Sequence, residues 1–246
     1  MGQSGNTPSQ NLVDAYEMID GTPFDWNNPE HKSNPYANRD PRLAMSILTN
    51  NVEFKDRTIE AWTGGRDGKG VIHATRTGYY IYKFIDPNLD LLQNRTSVHH
   101  WVIMRYAEIL LSYAEAMNEA YGPTGNVGYR LNAVRALNQV RNRVGVEMPA
   151  VPTAISKEEL REKIRNERRV ELAFEDHRFW DVRRWVIAPE ALGTPLRGVE
   201  ITKISDEEFE YKPIEVEKRT FEPKMYLYPI PQADLNTTGW VQNPLW

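Results

Sequence analysis

The chain has 246 residues, enough for one large domain or two small ones with a true hydrophobic core. A formal charge of −4 with 26% charged residues fits a soluble globular protein and speaks against a nucleic-acid binder, which carries a clustered basic surface. Cysteine is absent, excluding disulfides and thiolate metal centres, and no apolar run approaches the roughly 18 residues of a membrane-spanning helix.

The opening stretch, Met1–Pro8, has neither a basic n-region nor an apolar h-region and reads as a flexible leader rather than a signal peptide. Residues 1–99 are loop-rich, punctuated by turn signals at Asp20–Pro23 and Asn27–Pro29. Asn34 and Asp40 each precede proline and are pushed out of the helical region. Short elements are expected at 11–19, 41–49 and 77–85, the last of them extended because it is rich in aromatic and β-branched residues.

Residues 100–188 read as a helical scaffold. Ile103, Ala107, Leu110, Leu111, Ala114, Met117 and Tyr121 recur at steps of three and four, predicting a helix that Gly122-Pro123 stops. A second helix is expected over 129–143 with Gly145 at its end, and the short link between the two predicts an antiparallel pair. Ser156 and Glu159 form a capping box that starts a third helix, which points Leu160, Ile164 and Leu172 into the core. A fourth spans 177–187. Residues 189–246 alternate instead, predicting short strands at 209–211 and 214–217 with a turn near Pro213. An extended tail follows, from which Trp246 docks back.

Several motifs invite a chemical reading and fail it. The Gly64–Gly70 loop lacks the spacing and the Ser or Thr of a phosphate loop, and reads as a flexible surface loop. Asp86–Asp90 has the first acidic spacing of a calcium loop, but the turn glycine is missing and Ser97 stands where the bidentate Glu belongs. Polar side chains capping their own turn account for it better. His99 and His100 are adjacent, so their side chains diverge and do not share a metal. No nucleophile elbow or zinc-protease motif is present, so no catalytic residue, metal site or cofactor is expected.

The loop tryptophans are different. Trp26 and Trp62 sit in polar, Gly- or Pro-rich sequence with little apolar company. Flat rings of this kind stack on the C–H faces of sugars, while neighbouring polar groups hold the hydroxyls. Trp26 and Trp62, with Asp25, Asn27, Arg66 and Asp67 beside them, are therefore the candidate ligand contacts, set against the alternative that both rings anchor their loops to the core.

The densest signal is the run Glu167–Trp185, where paired charges alternate with large apolar groups. Its spacing predicts local ion pairs: Lys163 with Glu167, Arg168 with Glu171, and Arg178 and Arg184 with Asp181. Phe174, Phe179, Trp180 and Trp185 supply apolar mass around them. Glu167, Arg168, Glu171, Arg178, Asp181 and Arg184 thus read as a structural charge network where helices meet, in preference to a catalytic cluster.

This run (ERRVELAFEDHRFWDVRRW) resembles the C-terminal signature of the SusD/RagB family of surface glycan-binding lipoproteins. Asn11–Met18 (NLVDAYEM), Pro35–Arg42 (PYANRDPR), Met104–Glu115 (MRYAEILLSYAE), Tyr228–Pro231 (YPIP) and Gln242–Pro244 (QNP) agree, in the family's order. The resemblance implies a mainly α fold, a SusD-like helical scaffold with tetratricopeptide-like helix pairs, long loops and short β-strands. It also implies that residues 1–99, 100–188 and 189–246 are parts of one domain, the C-terminal part of a longer protein. Implied with it are nonenzymatic binding of an extracellular oligosaccharide and a SusC-type TonB-dependent transporter as partner. Outer-membrane, cell-surface lipoprotein localisation follows likewise, with the lipidation signal absent from this chain. Two other roles stay open: a protein–protein lid on the transporter, and peptide capture as in the RagB branch.

Overall fold

The structure is a computed structural model describing residues 6–90, 93–98 and 100–246. The leader expected at Met1–Pro8 falls largely, and His99 entirely, outside the described residues. Within them the chain is mainly helical: α1 (Gln10–Val13), α2 (Pro29–Ser33), α3 (Arg42–Ser46), α4 (Tyr106–Tyr121), α5 (Ala133–Arg141), α6 (Lys157–Glu171), α7 (His177–Arg184), α8 (Ala188–Leu192) and α9 (Gln232–Thr238). The strands are β1 (Ile47–Leu48), β2 (Glu53–Phe54), β3 (Arg57–Thr58), β4 (Tyr80–Ile81), β5 (Leu196–Lys203) and β6 (Phe209–Glu217). They pair antiparallel as β1–β4, β2–β3 and β5–β6.

The helix signals worked where they were local. Ser156 accepts from the Glu159 backbone while the Glu159 carboxylate reaches back, so α6 starts at its capping box. The Asn132 side chain accepts from Arg135 N at 2.9 Å and delays α5 to residue 133. Gly122, at φ +76°, ends α4 as expected. The helix α4 starts later than the apolar spacing predicts: Ile103 lies before it and is 85% exposed, so it is no part of the buried stripe. The first-region elements are likewise shorter than 11–19 and 41–49, the latter being α3 followed directly by β1.

Ion pairs fix the helix directions. Along α4, Glu119 meets Arg161 and Ser112 meets Arg168, so α4 runs antiparallel to α6. Arg105, which precedes α4, and Arg143, which follows α5, converge on Glu171, so α5 is antiparallel to α4. Leu111, Ala114, Ala133, Leu137, Leu160 and Ile164 interlock between these three helices. A second cluster, around Tyr16, Ile47, Ile59, Tyr79, Val199 and Ile201, binds the loops to the β5–β6 hairpin. Because Val170 packs in this second cluster and Ile164 in the first, α6 is the wall between them.

Residues 209–217 form one strand rather than two. Pro213 lies opposite Val199 within the ladder. Both strands of a two-stranded ribbon are edges, where a proline without an N–H is tolerated. One side of β5 is bonded further, as Val199 N donates to Thr77 O at 2.9 Å and Thr63 N to Ile201 O at 2.8 Å. Gly198 permits this approach: a Cβ there would lie 2.7 Å from the Thr77 Cα. Trp246 does dock back, its indole N–H pointing at the Lys224 and Leu227 carbonyls at 3.0 Å.

Candidate functional site

The charged run is built from long-range contacts. Glu171 accepts from Arg42 at 2.8 Å, Arg105 at 2.6 Å and Arg143 at 2.6 Å. Glu167 takes Arg42 and Arg141, while Asp40 holds the rest of the Arg42 guanidinium. Burial alone would raise the Glu171 carboxyl, but the hydrogen bonds from Arg143, Arg105 and Arg42 overcome it and hold the pKa at about 2. Lys163 turns to Glu17 rather than Glu167, and Arg168 to Asp181 rather than Glu171. For both, a carboxylate on another segment wins over the neighbour on α6. Of the expected local pairs, Arg184–Asp181 is present at 2.8 Å. Arg178 makes no ion pair with Asp181. Trp180 does not pack around the charges; it is 61% exposed.

The six loop candidates fall into two separate loops. The Trp26 indole donates to Asp14 Oδ1 at 3.0 Å, and its ring meets Phe24 edge-on at 5.1 Å. Asp25 closes a turn on Asn27. Asp67 receives both ends of the Arg57 guanidinium, at 2.6 and 2.7 Å, and the Glu60 backbone N–H. Arg66 reaches Glu60 at 3.3 Å. The Gly64–Gly70 loop closes on itself: Asp67 N donates to Glu60 O and Gly68 N to Gly65 O, and a Cβ on Gly68 would lie 2.0 Å from the Trp62 carbonyl oxygen. Trp26 and Trp62 are both half-buried against the second core cluster.

One of the two reaches a concavity indirectly. Trp62 tilts onto Phe209 at 5.4 Å, with Lys203 over its ring at 5.0 Å. Phe209 lines two adjoining hollows of about 450 and 500 Å³ between α2 and the β5–β6 hairpin. Together they make a groove whose wall is Phe209 and Tyr211, i and i+2 on one strand face. Its other side carries Tyr36, Asn34 and Asn51. Tyr36 stands edge-on to Tyr211 at 5.3 Å. Burial, then Tyr79, holds the Tyr36 phenol well above its ordinary value, so it is a neutral hydroxyl. Buried Asn50, at the groove floor, accepts from Ala61 N at 3.0 Å through Oδ1 and sets its amide beside the Tyr211 phenol. Lys32, Glu207, Glu208 and Glu210 line the groove as well, and a flat apolar wall beside amides, hydroxyls and carboxylates suits a polyhydroxylated ligand.

Phe209, Tyr211, Tyr36 and Asn50, which line the groove, were not among the sequence candidates. The i, i+2 aromatic pair was legible as a strand, but nothing in it announced that its face opens toward residues 33–52. No group of metal-binding side chains occurs among the described residues.

The whole chain, residues 1–246, matches the model of the SusD family. A SusD-like protein from Formosa agariphila is 34% identical over 120 residues, covering 47% of this chain and 22% of that protein. Among solved structures, a SusD-like protein from Bacteroides fragilis superposes with a TM-score of 0.79 at 33% identity, over 97% of this chain and 46% of that one. A SusD-like carbohydrate-binding protein from the same organism gives 0.75 at 31% identity, over 93% and 47%. The chain therefore spans about half the length of these solved relatives.

Proposed function

This chain belongs to the SusD family, and on that premise we propose that it captures an oligosaccharide, without transforming it, in the groove between α2 and the β5–β6 hairpin. The observation that carries this is the Phe209–Tyr211 wall facing Tyr36, Asn34 and Asn51. A sugar ring lies against the aromatic wall, and its hydroxyls exchange hydrogen bonds with the amides and phenols opposite. Trp62 serves from behind, by fixing the Phe209 ring. A solved relative described as carbohydrate-binding supports the reading. The captured sugar passes to a SusC-type TonB-dependent transporter at the outer membrane, where the protein acts as a surface lipoprotein. Family membership supports this step, and among the described residues no helix is long and apolar enough to cross a membrane.

A glycan array followed by calorimetry tests the groove. Phe209→Ala should weaken binding by roughly five- to tenfold, the value of one aromatic contact. Trp62→Ala should weaken it less. Unchanged affinity in the Phe209→Ala chain would move the ligand elsewhere. A protein–protein lid has one observation in its favour: Trp101, Ile103, Met104 and Tyr106 form an exposed apolar run. A chain that binds no glycan but retains the purified transporter would establish that role instead.

A further inference from the structure

A separate concavity of about 660 Å³ opens where α7 meets the end of α6, α1 and the start of β5. Three arginines line it, Arg169, Arg178 and Arg219, against a single lining carboxylate, Asp176. Arg219 is paired with Glu217 at 3.0 Å. The other two are not neutralised. Arg169 donates to the Asn11 carbonyl and has no carboxylate within ion-pair distance among the described residues. Arg178 has neither a carboxylate nor a hydrogen-bond acceptor among them.

The carboxylates whose charge reaches these two groups already have other partners. Asp181 accepts from Arg168 and Arg184, Asp14 from Arg197, Gln10 and Trp26, and Glu162 from Arg165. Burial, reinforced by the adjacent Arg178 charge, pulls the Arg169 guanidinium down to about 10, and burial lowers Arg178 as well. Two like charges, half-removed from water and lacking counter-ions, are costly unless an anion joins them. A guanidinium presents a planar fork matched to carboxylate or sulfate oxygens.

The wall beside the arginines is aromatic. Phe179 and Trp180 stand edge to face at 5.1 Å, and Trp180 is 61% exposed. Arg183 lies 4.3 Å from the Phe179 ring centre. Trp180 also lines an adjoining hollow of about 270 Å³ across which stands Trp101, 76% exposed.

We propose that this cleft is a second binding site, specific for an anionic sugar residue: the carboxylate or sulfate ester docks on Arg178 and Arg169 while the ring stacks on Trp180. A neighbouring sugar extends into the hollow beside Trp101. The site is distinct from the groove at Phe209 and does not require it.

Calorimetry on the 246-residue chain with an oligogalacturonate, a sulfated oligosaccharide and a neutral oligosaccharide of equal length tests the assignment. At least one anionic sugar should bind roughly tenfold more tightly than the neutral one. Arg178→Gln should abolish that preference, Arg178→Lys should retain part of it, and Trp180→Ala should weaken binding of the anionic sugar. Phe209→Ala should weaken the neutral sugar and leave the affinity for the anionic one unchanged, separating this site from the groove. Which of the two anions binds distinguishes carboxylate from sulfate recognition. Equal affinity for all three sugars would overturn the proposal, as would an Arg178→Gln chain with undiminished preference. So would an Arg178→Gln chain that fails to fold, since the guanidinium would then be structural. An Arg178-dependent response to an acidic peptide alone would overturn it in favour of a protein ligand.

Discussion

Arg105 and Glu171, 66 residues apart, meet at 2.6 Å and lock the start of α4 to the end of α6. A second Arg105 nitrogen donates to the Glu171 carbonyl, also at 2.6 Å, so one guanidinium caps the helix and neutralises its last side chain. Arg42, from the loop region, and Arg143, from beyond α5, share the same carboxylate. Four segments distant in sequence thus depend on one buried group.

Glu171→Ala should therefore destabilise the chain by about 3–5 kcal/mol, because it strands buried Arg42 without one of its counter-ions. Denaturant unfolding monitored by circular dichroism reads this directly. A loss below 1 kcal/mol would mean that Glu167 and Asp40 suffice for Arg42.

Acid should act through the same group. The Glu171 carboxyl titrates at about 2 in the folded chain against an ordinary 4.5. A depressed folded pKa gives stability that is fully present above the unfolded value and is lost as pH falls through the folded one. Stability should decline between about pH 4.5 and 2, with this group contributing about 3 kcal/mol. The Glu171→Gln chain should show a shallower decline over that window in urea titrations at stepped pH. Parallel curves for the two chains would refute the assignment.

Gly68→Ala should cost about 1–3 kcal/mol, since the new Cβ would sit 2.0 Å from the Trp62 carbonyl oxygen. The strain should also displace Trp62 from Phe209, shifting tryptophan emission and weakening glycan binding in the groove. Unaltered emission with a normal melting temperature would show that the loop relaxes without moving Trp62.

Trp26→Phe should lower stability by about 1 kcal/mol through loss of the indole hydrogen bond to Asp14, which Gln10 and Arg197 still hold. Glycan affinity should stay within twofold of the unmodified chain if Trp26 anchors its loop. A marked loss of affinity at unchanged stability would return Trp26 to the binding surface.

What the sequence determined by itself was local or short in range. The period of Leu110, Leu111, Ala114 and Met117, the Ser156–Glu159 capping box and the Gly122 stop each act within a turn or two of helix, so residue spacing alone expresses them. Only the tertiary structure decided which arginine meets which glutamate. On an isolated helix Arg168 would turn to Glu171 three residues on, but burial between two cores leads it to Asp181 and leaves Glu171 to Arg42, Arg105 and Arg143. The groove has the same origin: Tyr36, Asn50 and Phe209 share it because the 36–52 segment and the β5–β6 hairpin pack onto one cluster. Arg178 was legible as a charge near Asp181, yet its lack of a counter-ion among the described residues arises only once Arg168 and Arg184 have taken that carboxylate. Short-range hydrogen bonds and periodicity are written in spacing, whereas competition among distant partners for one buried charge is settled by the packing of the whole chain.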